Sequence, residues 1–330
     1  MTRLGLALPF FPALPLPEYQ ALAREAEARG YRTAWTGEVT GTDAFTPLAL
    51  VASVTSRLGL ATGIVPIQTR TPIVLALTAA TLAYAAPGRV ALGLGISSRI
   101  IVGDWHGLPF SRSLQQMREA VRIIRAVLAG ERVNFDGAFY CVRNFRMTTP
   151  PPAPPVPIYL AALGREMTEL AGEIADGVLL NWIAPETIPA SVKHLETGAR
   201  RAGRTLADFE IAAYIRTTVT DAPAPVRQAL AREITGYAIV DSYARFFADG
   251  GFAAEVEAVQ AAWKAGDRAG AVGRISPRLL DALGVVGPAD FCRQRLGEFA
   301  RAGLTMPVVF PFVTGPEPGE AVLRTVRAFP

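Results

Sequence analysis

Cysteine and histidine are scarce in this 330-residue chain, at two residues each. Cys141 and Cys292 lie far apart and form no C-x-x-C, which excludes a disulfide framework and a cysteine zinc site and suits reduced thiols. His106 and His194 form neither H-x-H nor H-E-x-x-H, so no metal ligand set and no zinc hydrolase is expected. There is no G-x-S-x-G elbow for an α/β-hydrolase and no G-x-x-x-x-G-K-[ST] for a P-loop. Charge is nearly balanced: 33 basic against 29 acidic residues leave +4, with no basic run interleaved with aromatics. Nucleic acid is therefore not an expected partner. The longest apolar stretch, residues 72–86, falls short of the roughly 20 residues that a membrane span needs. The first residues show no signal-peptide core ahead of the helical pattern at Pro17, so a cytoplasmic protein is expected.

What is present is a large apolar fraction in a regular order. Half of the residues are hydrophobic, only 19% are charged and the mean hydropathy is +0.26, which excludes disorder. Short apolar runs at 4–8, 33–36, 59–64, 90–94, 158–161, 178–181, 209–218 and 306–312 read as strands. Amphipathic patterns separate nearly all of them, notably at 17–29, 72–84, 114–129, 166–174 and 186–201. Such alternation predicts a parallel sheet covered by helices, and eight units favour closure. The expected fold is α/β, a (β/α)8 TIM barrel forming a single domain over residues 1–330. Pro150 to Pro157 read as a stiff crossover within that barrel. Residues 223–303 exceed one crossover and read as a helical insertion before strand eight.

In such a barrel the chemistry gathers at the C-terminal strand ends. Here those ends carry Pro9-Phe10, Gly37-Glu38, Gly63-Ile64, Ser97-Ser98, Ala161 to Gly164, Asn181-Trp182, Arg216-Thr217 and Pro311-Phe312. Most are apolar, aromatic or small. A mouth with so few reactive side chains suits a flat cofactor that brings its own reactivity. Leu163-Gly164-Arg165 at a helix start reads either as a phosphate seat or as an ordinary turn. Gly93-Leu94-Gly95 begins like a dinucleotide fingerprint, but Ser98 takes the third glycine's place and no helix opens there.

Several stretches together resemble the luciferase-like flavin and deazaflavin oxidoreductase superfamily. They are Leu60 to Pro66 with Arg70-Thr71-Pro72, Gly88 to Gly95, Arg118 to Glu131, Pro157 to Gly177 and Val285 to Gly303. Ser97-Ser98 through Trp105-His106-Gly107 is similar to the branch using coenzyme F420, which includes methylenetetrahydromethanopterin reductases. The resemblance implies a homodimer, a small-molecule substrate and hydride transfer at C5 of the deazaflavin. FMN with oxygen is the monooxygenase alternative. It further implies that Gly63, Ile64, Ser97, Ser98, Ala161, Leu163, Gly164 and Arg165 contact the cofactor. Gly63-Ile64 matches the place where that branch often holds a non-prolyl cis peptide.

Glu38 matches the acidic position ending strand two. It reads as a proton relay or as a carboxylate bonded to a neighbouring loop. His106 reads as a catalytic or cofactor contact, or as a packed loop histidine. Phe10 and Trp182 are expected to wall the substrate pocket, and His194 to sit on a solvated helix face. Arg70 reads as a contact to the cofactor's anionic tail or as a surface ion pair. Many relatives place a histidine after the acidic residue, where this chain has Val39. Alcohol oxidation needs an acceptor for the hydroxyl proton, so Val39 argues against it unless Glu38 or His106 substitutes. A third reading is a cofactor-binding protein without catalysis.

Overall fold

The computed structural model describes residues 3–9, 14–314 and 318–329. Phe10 lies outside the described residues. Eight parallel strands form a closed ring: β1 (Gly5–Ala7), β2 (Thr33–Thr36), β3 (Gly59–Thr62), β4 (Val90–Gly95), β5 (Ile158–Ala161), β6 (Gly177–Asn181), β7 (Glu210–Val219) and β8 (Met306–Pro311). Closure is direct, since β7 pairs with both β6 and β8, and β8 pairs with β1. The fold is the expected α/β TIM barrel.

The strands are buried on both faces, as parallel strands under helices must be. Inward side chains form the barrel interior: Ala7, Trp35, Ala61, Tyr159, Leu179, Ala212, Tyr214, Met306, Val308 and Phe310. Outward ones meet the helices. The helix Pro72–Ala85 begins at Thr71, whose hydroxyl accepts from the Val74 N–H, and Pro72 needs no donor in that first turn. It ends ahead of Pro87-Gly88. The helices Arg165–Ile174 and Ile188–Arg201 touch backbone to backbone. A Cβ on Gly172 would overlap the Leu195 carbonyl, and one on Gly198 would overlap the Glu169 carbonyl.

Four elements were not expected from the sequence. They are the helix Phe45–Ala52, the two-residue strand Val65–Pro66, the antiparallel hairpin Val133–Asp136 with Cys141–Phe145, and the strand Gly284–Gly287. The last pairs with the overhanging end of β7, from Arg216 to Val219. Helices from Pro223 to Leu283 precede it, and the helix Ala289–Arg301 follows. The apolar side chains of this region form a second core, which Trp182 joins from the end of β6. No helix among the described residues is long and apolar enough to cross a membrane.

Two carboxylates fasten loops to helices. Glu27 accepts N–H groups from Ser56, Arg57 and Leu58 at 2.8, 2.6 and 2.9 Å. Glu119 accepts those of Ala138 and Phe139 at 3.0 and 2.9 Å, holding the hairpin to the helix Ser113–Leu128. Burial alone would raise both carboxyls; the donated N–H groups hold both below the usual range. Their contribution is complete above the unfolded carboxyl pKa of about 4.3 and disappears as pH falls through the lower folded values. Glu119→Gln should therefore cost about 1–3 kcal/mol at neutral pH. Urea midpoints across pH would show that difference shrinking in acid; a constant difference would contradict it.

Candidate active site

The C-terminal strand ends converge on one mouth. Its floor is main chain. After β3 the Gly63–Ile64 peptide is cis, and Tyr214 on β7 donates its hydroxyl to the Gly63 carbonyl at 2.8 Å across the barrel. The Glu38 N–H donates to the Ile64 carbonyl at 3.2 Å from the β2 side. A Cβ on Gly63 would overlap the Tyr214 hydroxyl, so only glycine fits beneath this bridge. The Ile64 side chain lies over Gly95, filling the space that a Cβ there would need. The result is a fixed, nearly uncharged shelf. Burial raises the Tyr214 phenol, so it stays a neutral donor at any ordinary pH.

Around the shelf stand the residues that the sequence singled out. Glu38 accepts from Arg70 Nη2 at 2.9 Å and Nε at 3.3 Å, and from the Ala44 N–H at 3.3 Å. This hydrogen-bonded pair raises the Arg70 guanidinium, which also packs over the Phe45 ring at 5.5 Å. Glu38 and Arg70 are thus one ion pair at the rim. Ser97 has a left-handed backbone (φ 56°), and the Ser98 hydroxyl accepts from the Ile101 N–H at 3.3 Å. Ser98 starts a π-helical turn, Ile100–Trp105, that ends at the exposed His106. Such turns concentrate at functional positions.

Beyond Ala161 and Leu163, Gly164 precedes the helix Arg165–Ile174. No side chain caps that helix start, and nothing lies within 4 Å of where a Gly164 Cβ would be. The helix start is thus uncapped by any side chain, with room beside Gly164. The exposed Arg165 guanidinium turns along the helix and donates to Glu169 at 2.7 Å. Arg201 donates to the same carboxylate at 2.7 Å, and His194 approaches it at 3.9 Å.

Trp182, also left-handed (φ 54°), closes the end of β6 fully buried. Non-glycine residues in this region cost on the order of 1–3 kcal/mol and gather at working sites. Ser97 and Trp182 both stand at the mouth. Sequence reasoning named Arg216 among the strand ends but gave it no role. Its guanidinium stacks on Trp182, with the carbon 3.9 Å from the ring centroid, and lies 4.5 Å from that of Phe310. The missed signal is a lone charge in the buried strand Ile-Arg-Thr-Thr, two residues from inward-facing Tyr214. The buried Gln68 amide, Trp182 Nε1 and Arg216 Nε have no hydrogen-bond partner among the described residues. Buried polar groups without a partner are uncommon. No group of three potential metal-ligating side chains occurs among the described residues. A separate cavity of about 340 Å3 opens at the barrel's other end, bounded by Arg32, Trp35, Arg57, Arg89, Tyr159 and Glu210.

Barrel, shelf and open helix start thus lie together at the C-terminal strand ends. The luciferase-like monooxygenase family model matches residues 3–306, and the chain belongs to that family. It is 32% identical over 327 residues to a Mycobacterium tuberculosis protein named as a coenzyme F420-dependent oxidoreductase, covering 93% of this chain and 94% of the other. Identity to the 5,10-methylenetetrahydromethanopterin reductase of Methanolobus tindarius is 29% over 318 residues, 95% of each chain. The solved F420-dependent tetrahydromethanopterin reductase of Methanopyrus kandleri superposes with a TM-score of 0.83 at 24% identity, over 99% of this chain and 98% of that one.

Tyr214→Phe should leave the Gly63 carbonyl without its donor and lower stability by about 1–3 kcal/mol. Chemical denaturation measures this; an unchanged midpoint would mean that the bridge does not hold the floor.

Proposed function

We propose that the chain is an F420-dependent oxidoreductase that moves a hydride between the deazaflavin and a small organic substrate. The observation that carries the reading is the open, uncapped helix start at Gly164, on the same mouth as the Gly63–Ile64 shelf. Free N–H groups and the positive end of a ten-residue helix make a seat for a phosphate. The related mycobacterial protein and the solved Methanopyrus kandleri reductase, both named for coenzyme F420 and similar over nearly the whole chain, support the choice of cofactor. Bound there, the deazaflavin would supply the hydride-carrying carbon.

The protein's part is binding and orientation. Gly164 would hold the phosphate, joined by Arg165 once its guanidinium leaves Glu169, with Ser97 and Ser98 beside it. Gly63 and Ile64 would support the ring, and Ala161 and Leu163 would flank the tail. Trp182 and Phe310 wall the substrate side and exclude water. Glu38 orients Arg70 toward the anionic tail, and the exposed His106 is the group free to exchange a proton with the substrate. A homodimer suits the exposed apolar face of Val74, Leu77 and Tyr84 on one helix. The reading includes a cytoplasmic location.

Gly164→Asp tests the seat directly. Gly164 has ordinary extended angles (φ −88°, ψ 166°) and open space, so an aspartate fits. It should cap the helix and raise stability by a few tenths of a kcal/mol while repelling the phosphate. The expected result is a more stable protein with weaker deazaflavin binding, read by thermal shift with and without cofactor. For the parent protein, cofactor at 100 times Kd should add about 2.7 kcal/mol. Stabilisation by FMN and not by the deazaflavin would turn the reading to the monooxygenase.

A further inference from the structure

We propose that Arg216, with Trp182 beside it, is the receptor for a carboxylate on the organic substrate. The proposal rests on the functional reading above and names the substrate class of the same mouth. Tyr214 stands opposite Asn181 in the β6–β7 register, and Arg216 lies two residues further toward the mouth. The guanidinium is thus one layer above the shelf.

Its orientation is fixed from one side. Nη1 donates to Asn181 Oδ1, and Asn181 in turn donates its Nδ2 to the Tyr243 hydroxyl at 3.1 Å. The stacked Trp182 and Phe310 rings hold the guanidinium from its faces. The opposite edge is underused. Nε has no partner among the described residues, although only 3% of the residue's surface is exposed. Nη2 reaches Glu233 Oε1 at 3.4 Å, the long limit for such a bond. Trp182 Nε1, on the stacked ring, is a further buried donor without a partner.

An arginine serving only to tie the insertion to the barrel would spend its donors on that tie. Here Nε and Nη2 form the parallel pair that a carboxylate accepts side-on, with geometry that a lysine or an amide cannot match. At 3.4 Å Glu233 is a weak competitor for Nη2; burial raises its carboxyl and Arg216 opposes that shift. The walls of Trp182, Tyr237 and Phe310 favour an acid with an aromatic or apolar body.

Benzoate and benzamide share a shape and differ in charge. Titrated into the intact protein by calorimetry, benzoate should bind at least about tenfold more tightly, a difference of about 1.4 kcal/mol. Arg216→Met should abolish the preference. If that variant does not fold, Trp182→Phe replaces it and should lose the fluorescence quenching that benzoate produces in the parent. Equal affinity for the two probes, binding of neither, or a preference that survives Arg216→Met would overturn the proposal, as would quenching that persists in Trp182→Phe. A parallel deazaflavin titration keeps the two readings apart. Benzoate preference without deazaflavin binding would leave Arg216 its role and sink the cofactor assignment.

Discussion

One hydrogen bond spans the barrel and sets the level of its mouth. Tyr214 starts on β7 and reaches the Gly63 carbonyl, 151 positions earlier in the chain, on the far side of the ring. The bond is possible only because Gly63 has no side chain, Ala61 and Ala212 keep the interior narrow, and burial keeps the phenol protonated. From that bridge the rest of the site takes its height. The shelf lies on it, Glu38 is tied to the shelf through its own N–H, and Arg216 rises one layer above Tyr214. A buried polar bridge of this kind is costly unless complete, so it favours one arrangement of the two strands over neighbouring ones.

The barrel was legible because parallel strands buried on both faces leave plain apolar runs. Residues 33–36, 158–161 and 178–181 needed no context to be read, and the prolines at 150–157 proved compatible with one continuous ring. Elements that depend on partners were not legible. The hairpin at 133–145 alternates weakly and is held by Glu119, a carboxylate on the helix Ser113–Leu128. Gly284–Gly287 is a strand only because β7 overhangs its neighbours. Phe45–Ala52 has little amphipathic pattern, since most of its length is buried.

The site was legible as a set of places and less so as a set of partnerships. Glu38 was read from a strand end and Arg70 from the family resemblance, but their pairing across 32 positions is set by the fold. Arg165 looked like a phosphate ligand from its position after Gly164. In the fold Glu169 holds its guanidinium, which must leave that carboxylate to reach an anion. Arg216 received no role because a single arginine in a long strand carries no motif. Its meaning came from the stacked rings and the unused edge.

Gly172 and Gly198 each lie against a carbonyl of the other's helix, the first on Leu195 and the second on Glu169. With no side chain between them, the helix that presents Gly164 and the one behind it cannot slide past each other without backbone collision. The neighbouring π-helical turn Ile100–Trp105, which follows the adjacent strand β4, instead leaves Ile100 and Trp105 exposed.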